Sequence, residues 1–131
     1  MQGFRNVRIL LAVDAAFCLV GAIALLGLAG LLAPAMNLPE ALLRGAGIVL
    51  LPWAAFVGWC ASRNPPARRA VLAVVVLNGV WVVDSLLLLA SGWVMPNSLG
   101  IAFMLAQAAA GGGIAILQAL ALPPAARLQR V

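Results

Sequence analysis

The sequence predicts an all-α fold: a single membrane domain built as a bundle of four transmembrane helices. Of the 131 residues, 66% are apolar and 8% are charged, whereas a soluble domain carries about 25% charged residues. Four separate apolar stretches are each long enough to provide the roughly 20 residues that cross a bilayer as a helix. So few charges cannot cover a soluble core, but lipid can face apolar side chains directly.

The four predicted spans cover about residues 8–33, 40–61, 70–91 and 98–122. The segments between them are rich in proline, which cannot continue a helix without losing a backbone hydrogen bond. Asn37, with Glu40 three residues later, fits a capping pattern at the start of the second span. Asn97 or Ser98 can cap the fourth span, and Pro123 with the next proline ends it.

The arginines predict the orientation of these spans. In a four-span arrangement only Arg44 lies on one side, and the other seven arginines lie on the opposite side: Arg5, Arg8, Arg63, Arg68, Arg69, Arg127 and Arg130. Because basic residues are retained in the cytoplasm, we expect both termini there, an N-in/C-in topology. Residues 1–35 also resemble a signal peptide, but the apolar run exceeds the 7–15 residues typical of one, which favours a retained helix.

Composition also argues against several function classes. The net charge of +5 comes from arginines at the ends of apolar runs, which indicates membrane orientation and argues against binding of nucleic acid. The sequence has no His, and Cys18 and Cys60 form no CxxC motif, so we expect no metal ligands and no cofactor. We interpret both cysteines as packing residues. The Ala-, Gly- and Arg-rich composition suggests a bacterial protein of the inner membrane.

The polar residues inside the spans are the candidate site residues, because an ionisable group in a bilayer is costly unless it has a partner. Counting about 1.5 Å per helical residue, we predict an inner polar layer of Asp14 and Asn78. An outer layer would hold Arg44, Asp84 and Gln107. Two interpretations stay open: hydrogen bonds that hold helices together, or a ligand or ion site.

Each candidate also has a purely structural alternative. Arg44 can pair with Glu40 one turn earlier and extend toward the headgroups. Asn78, Trp81 and Ser85 share one stripe of the third span, which is typical either of a small cavity or of a packed helix interface.

Small residues and one proline are the remaining features of the spans. Pro52 either kinks the second span at a functional site or is a neutral proline of the kind membrane helices tolerate. Small residues at 54 and 58, and at 108–113, favour close helix approach. That approach takes place within the bundle or in a dimer.

Two sequence resemblances follow from these residues. The segments LLRGAGIVLLP at 42–52 and NGVWVVDS at 78–85 resemble small four-span bacterial membrane proteins of unknown function, a likeness that covers most of the chain and implies no activity. In length and span number the chain is also similar to the small multidrug resistance transporters, where Asp14 would replace the first-span glutamate. The other motifs of that family are absent, as are those of the fluoride channels.

We therefore predict a non-enzymatic accessory or interaction subunit. Its partners would be the lipid bilayer and either a second copy or a larger membrane complex. The alternative is a small transporter or channel that uses Arg44, Asp84 and Gln107, with Asp14. A membrane enzyme with Asp14 or Asp84 as catalytic acid ranks third.

Overall fold

Helices make up nearly all of the structure, a computed structural model that describes residues 2–63 and 65–122. Within these ranges there are five α-helices and no strand. They are α1 (Gln2–Gly27), α2 (Ala29–Met36), α3 (Glu40–Ser62), α4 (Arg68–Ser91) and α5 (Ser98–Ala121). The predicted all-α fold is confirmed, and four of the helices, all but α2, are long and apolar enough to span a membrane. Arg127, Arg130 and the prolines predicted to end the last span lie outside the described residues.

The first apolar stretch is not one helix, contrary to the prediction for residues 8–33. It breaks at Leu28, whose φ of −116° and ψ of 13° are not helical. Glycines lie on both sides of the break, Gly27 at the end of α1 and Gly30 in the first turn of α2. Glycine weakens a helix through its backbone freedom. The helix α1 is long enough to span on its own, and α2 forms a separate short helix.

The sequence pattern predicted that Asn37 caps the start of α3, and the structure shows that it does not. Its backbone adopts the left-handed conformation, with a φ of 55°, and ends α2. Its side-chain amide donates to the carbonyl of Met95 at 2.6 Å, so it ties α2 to the loop before α5. The predicted cap of α5 is confirmed, because Asn97 accepts a hydrogen bond from the backbone of Gly100 at 2.9 Å.

The bundle has two ends with different composition. At one end α1 begins, α3 ends and α4 begins; we call it the basic end, because Arg5, Arg8, Arg63, Arg68 and Arg69 belong to it. The guanidinium of Arg8 donates to the carbonyl of Ala61 at 3.1 Å, which joins α1 to the last turn of α3. At the opposite end, α2 packs against α3 and α5.

The helices pack unevenly around the bundle. The most extensive contacts join α1 to α3 and α4 to α5, whereas α3 and α4 touch each other sparsely. One apolar core lies at the basic end, around Leu11, Val57 and Val71. A second lies at the opposite end, around Leu25, Leu43 and Met104.

The outer surface of the four long helices is apolar. In the most apolar window of each, between 17% and 28% of the residues are buried within the bundle. Large side chains such as Val20, Val76 and Ile116 are more than 60% exposed. A surface of this kind is stable in contact with lipid chains and unstable in water.

Candidate functional site: a buried carboxyl cluster and an exposed carboxylate

The carboxyl group of Asp14 is buried between helices and contacts two amides. The side-chain nitrogens of Asn78 and Gln118 both donate to its Oδ2, at 2.9 Å and 3.0 Å. The thiol of Cys18 lies 3.5 Å from its Oδ1, one turn along the same helix. The side chains of Asp14, Asn78 and Gln118 are 2%, 7% and 0% exposed, so the cluster is closed to its surroundings.

Three helices contribute to this cluster: α1 carries Asp14, α4 carries Asn78 and α5 carries Gln118. The contact between Asp14 and Asn78 is the one expected for the inner polar layer. Sequence reasoning missed Gln118, because it lies only three residues before the end of α5 and was not counted as an intramembrane group. The signal that would have found it is its position at the same end of the bundle as Asp14.

The chemistry of the cluster is that of a hydrogen-bonded tie between helices. Its donors are two neutral amides and the thiol of Cys18, and the described residues supply no basic side chain to Asp14. The Oε1 atom of Gln118 is buried and has no hydrogen-bond partner within the described chain. Among the described residues, no group of three metal-ligating side chains comes together here or elsewhere.

A second polar cluster joins α4 to α5. The indole nitrogen of Trp81 donates to Oε1 of Gln107 at 2.7 Å, and the amide nitrogen of Gln107 lies 3.0 Å from the hydroxyl of Ser85. That hydroxyl donates in turn to the carbonyl of Trp81 at 2.8 Å. The stripe predicted on the third span is therefore a helix interface, the simpler of its two interpretations.

The predicted outer layer of Arg44, Asp84 and Gln107 does not form. Gln107 is occupied by Trp81 and Ser85, and Arg44 pairs with Glu40 one turn earlier at 2.6 Å. The similar depths of the three residues along their helices permitted the layer. The rotation of each helix about its axis, however, determines which side chains meet. Since Ser85 faces α5, the preceding residue lies about 100° around the helix and faces outward.

Asp84 therefore lies on the outer surface of α4, exposed. Within the described part of the chain its carboxylate has no hydrogen bond or ion pair. It is seven residues before Ser91, which places it about 11 Å along the helix from that end. The surrounding face is apolar, with Val80 47% and Leu87 60% exposed.

The remaining candidates belong to packing between helices. Ala54 and Gly58 face α1, where a Cβ on Gly58 would lie 3.8 Å from Ala15, so these small residues serve the interior of the bundle. Helix α3 continues through Pro52 and α5 through residues 111–113. Cys18 and Cys60 are both buried and free, in agreement with their interpretation as packing residues.

Two grooves open on the surface of the bundle. One, of about 450 Å³, lies between the ends of α1 and α5, and the other, of about 290 Å³, lies between α1 and α3. Their linings are mostly apolar, with Asn6 in the one between α1 and α5, and neither includes Asp14 or Asp84. Both are shallow depressions that acyl chains can fill.

The described residues define an all-helical fold with four membrane-spanning candidates, a sealed acid–amide cluster and an exposed carboxylate, Asp84, on an apolar helix face. Compared with known protein families, with curated proteins and with solved structures, the chain matches none. Its function is therefore argued from the geometry.

Proposed function

We propose that this protein is a non-enzymatic interaction subunit of the bacterial inner membrane, with four spans and the basic end in the cytoplasm. Five arginines of the described residues belong to the basic end and one, Arg44, to the opposite end. Basic residues are retained on the cytoplasmic side. The guanidinium of Arg63 stacks on the exposed ring of Trp59, 4.6 Å from its centroid, an aromatic position typical of the membrane interface.

The sealed state of Asp14 favours an interaction subunit over a transporter. Transport through this carboxyl group would require water or a solute to reach it, and its side chain is 2% exposed. Its amide hydrogen bonds come from two other helices of the same bundle. Such bonds stabilise helix association in a membrane by about 0.6–1.7 kcal/mol each.

The observation that carries the proposal is the exposed carboxylate of Asp84. An aspartate at the centre of a lipid-facing helix costs about 2.5–3.5 kcal/mol on insertion scales. At about 11 Å from the end of α4, its short side chain cannot reach the headgroups as arginine or lysine can. The described chain gives it no partner, so a second polypeptide that covers this face and donates hydrogen bonds would remove the cost.

Photo-crosslinking in the native membrane tests the proposal. A benzophenone side chain at Val80, one turn before Asp84 on the same face, is compared with one at Phe17 on α1; the two positions are 47% and 48% exposed. We expect a discrete protein adduct from Val80 that disappears when Asp84→Leu is added, and lipid adducts from Phe17. Lipid adducts alone at both positions would contradict an interaction role.

The topology has its own test. In a Cys18→Ala, Cys60→Ala background, a cysteine replaces either Trp93, which is 86% exposed, or Ser62 at the basic end. An impermeant maleimide added outside the inner membrane is expected to label position 93 and to leave position 62 unlabelled. The reverse pattern would place the basic end outside.

A further inference from the structure

We propose that the partner covering Asp84 is a second copy of this chain, and that Asp84 of each copy pairs with Arg44 of the other. This inference rests on the proposed interaction role and names its partner. Both residues are exposed on the outer surface of the bundle. Asp84 lies seven residues inside its span and Arg44 four residues inside its own, whereas Glu40 is the first residue of α3.

The depths of the two groups match across an interface between parallel copies. Arg44 lies four residues past Glu40, about 6 Å from the start of α3, and Asp84 lies about 11 Å from the end of α4. Both distances are measured from the end opposite the basic end. An arginine side chain is flexible along its length and covers the difference.

Arg44 is free to change its partner at low cost. Its present ion pair with Glu40 lies in the first turn of α3, with the two side chains 58% and 48% exposed, and exposed pairs of this kind contribute little to stability. A guanidinium–carboxylate pair enclosed between helices is stronger, because lipid leaves both groups no competing water. Glu40 lies at the start of α3 and stays near the headgroups without Arg44.

The surfaces around both groups are apolar and without a partner. Ile48, one turn after Arg44, is 62% exposed, and Leu87 beside Asp84 is 60% exposed. The sparse contact between α3 and α4 leaves the outer halves of both helices available. These apolar side chains would supply van der Waals packing between the two copies around the charged pair.

A two-fold axis along the membrane normal satisfies both charges at once. In such an interface, if residue i of one copy contacts j of the other, then j contacts i as well. One axis therefore creates two identical Asp84–Arg44 pairs and leaves neither carboxylate facing lipid. A symmetric contact of Asp84 with Asp84 would instead bring two like groups together.

Crosslinking between differently tagged copies tests the pairing, with a bifunctional thiol reagent about as long as an arginine side chain, because two cysteines at these depths are too far apart for a direct disulfide. In the Cys18→Ala, Cys60→Ala background, one copy carries Arg44→Cys and the other carries Asp84→Cys. Each mixed dimer loses one ion pair, which the cysteines replace, and retains the other. We expect at least a tenfold higher yield of mixed dimer than with Arg44→Cys and Val83→Cys, since Val83 lies at the same depth, is 54% exposed and points about 100° away.

Charge exchange gives an independent readout. Asp84→Arg alone and Arg44→Asp alone are expected to abolish dimers in bilayers, and the combined variant is expected to restore them. Retained helical circular dichroism shows that each variant is folded. Equal crosslinking yields from positions 84 and 83, or no recovery in the folded combined variant, would overturn the pairing.

The photo-crosslinking experiment separates failure of this inference from failure of the proposed function. An Asp84-dependent adduct at twice the 13.5 kDa chain mass supports both. An Asp84-dependent adduct with a different protein overturns the second-copy inference and leaves the interaction role standing. Absence of any protein adduct overturns both.

Discussion

The hydrogen bond between Asn78 and Asp14 provides a quantitative test of how the bundle is held together. The two side chains lie on different helices, 2.9 Å apart, and both are buried. Replacing either by leucine removes the bond and keeps the number and branching of the side-chain heavy atoms. Asn78→Leu leaves Asp14 bonded to Gln118, whereas Asp14→Leu leaves the amides of Asn78 and Gln118 without their acceptor.

A double-mutant cycle isolates the energy of this contact. Interhelical hydrogen bonds in membranes average about 0.6 kcal/mol and reach about 1.7 kcal/mol. We expect a coupling free energy of about 1 kcal/mol between the two substitutions, because each removes one partner of the same bond. The free energy of unfolding in bicelles, followed by tryptophan fluorescence, gives all four corners of the cycle.

A matched control uses Gln107→Leu in place of Asn78→Leu. Gln107 is also an amide on a helix interface, but it bonds to Trp81 and Ser85 and shares no partner with Asp14. Its substitution should be additive with Asp14→Leu within about 0.3–0.5 kcal/mol. A coupling below about 0.3 kcal/mol in the Asn78 cycle would refute a structural role for the buried cluster.

Two further predictions concern helix approach and capping. Gly47→Ala should destabilise the fold by about 1–3 kcal/mol, because the new Cβ would lie 2.7 Å from Leu26. The control Gly45→Ala should not destabilise it, since a Cβ there meets nothing within 4 Å. Equal unfolding midpoints for the two variants would contradict the close contact of α1 and α3. Asn97→Ala should cost about 1–2 kcal/mol in the same unfolding assay, since its side chain caps α5 and also bonds to a carbonyl of α2. Ser98→Ala, at an exposed hydroxyl, should change stability by less than about 0.5 kcal/mol, and a similar loss in both variants would argue against the cap.

The four long helices could be predicted because their signal is simple. A run of about 20 apolar residues has few alternatives to a membrane span, and the flanking prolines and Asn97 locate the ends. The break at Leu28 could not be predicted in this way. Residues on both sides of it are equally apolar, so hydropathy gives no indication of where the backbone leaves the helix.

The candidate site was predicted in part, for a geometric reason. Asp14 and Asn78 lie on helices that start at the same end, so counting residues gave comparable depths and their contact followed. Depth does not determine rotation, however. A turn of about 100° per residue places Ser85 in the interface with Gln107 and leaves Asp84 outside it, so the predicted outer layer was wrong.

The proposed self-association requires that another chain cover the face of α4 around Asp84. Spin labels at Leu87 and at Ile23 on α1 provide a matched comparison, because both side chains are 60% exposed in the single chain. With the protein reconstituted in bilayers, we expect the collision rate of oxygen with the label at 87 to be several-fold below that at 23, and to rise to the same level in Asp84→Leu. Equal collision rates at the two positions in the wild-type background would show that lipid covers this face, and would contradict self-association through Asp84.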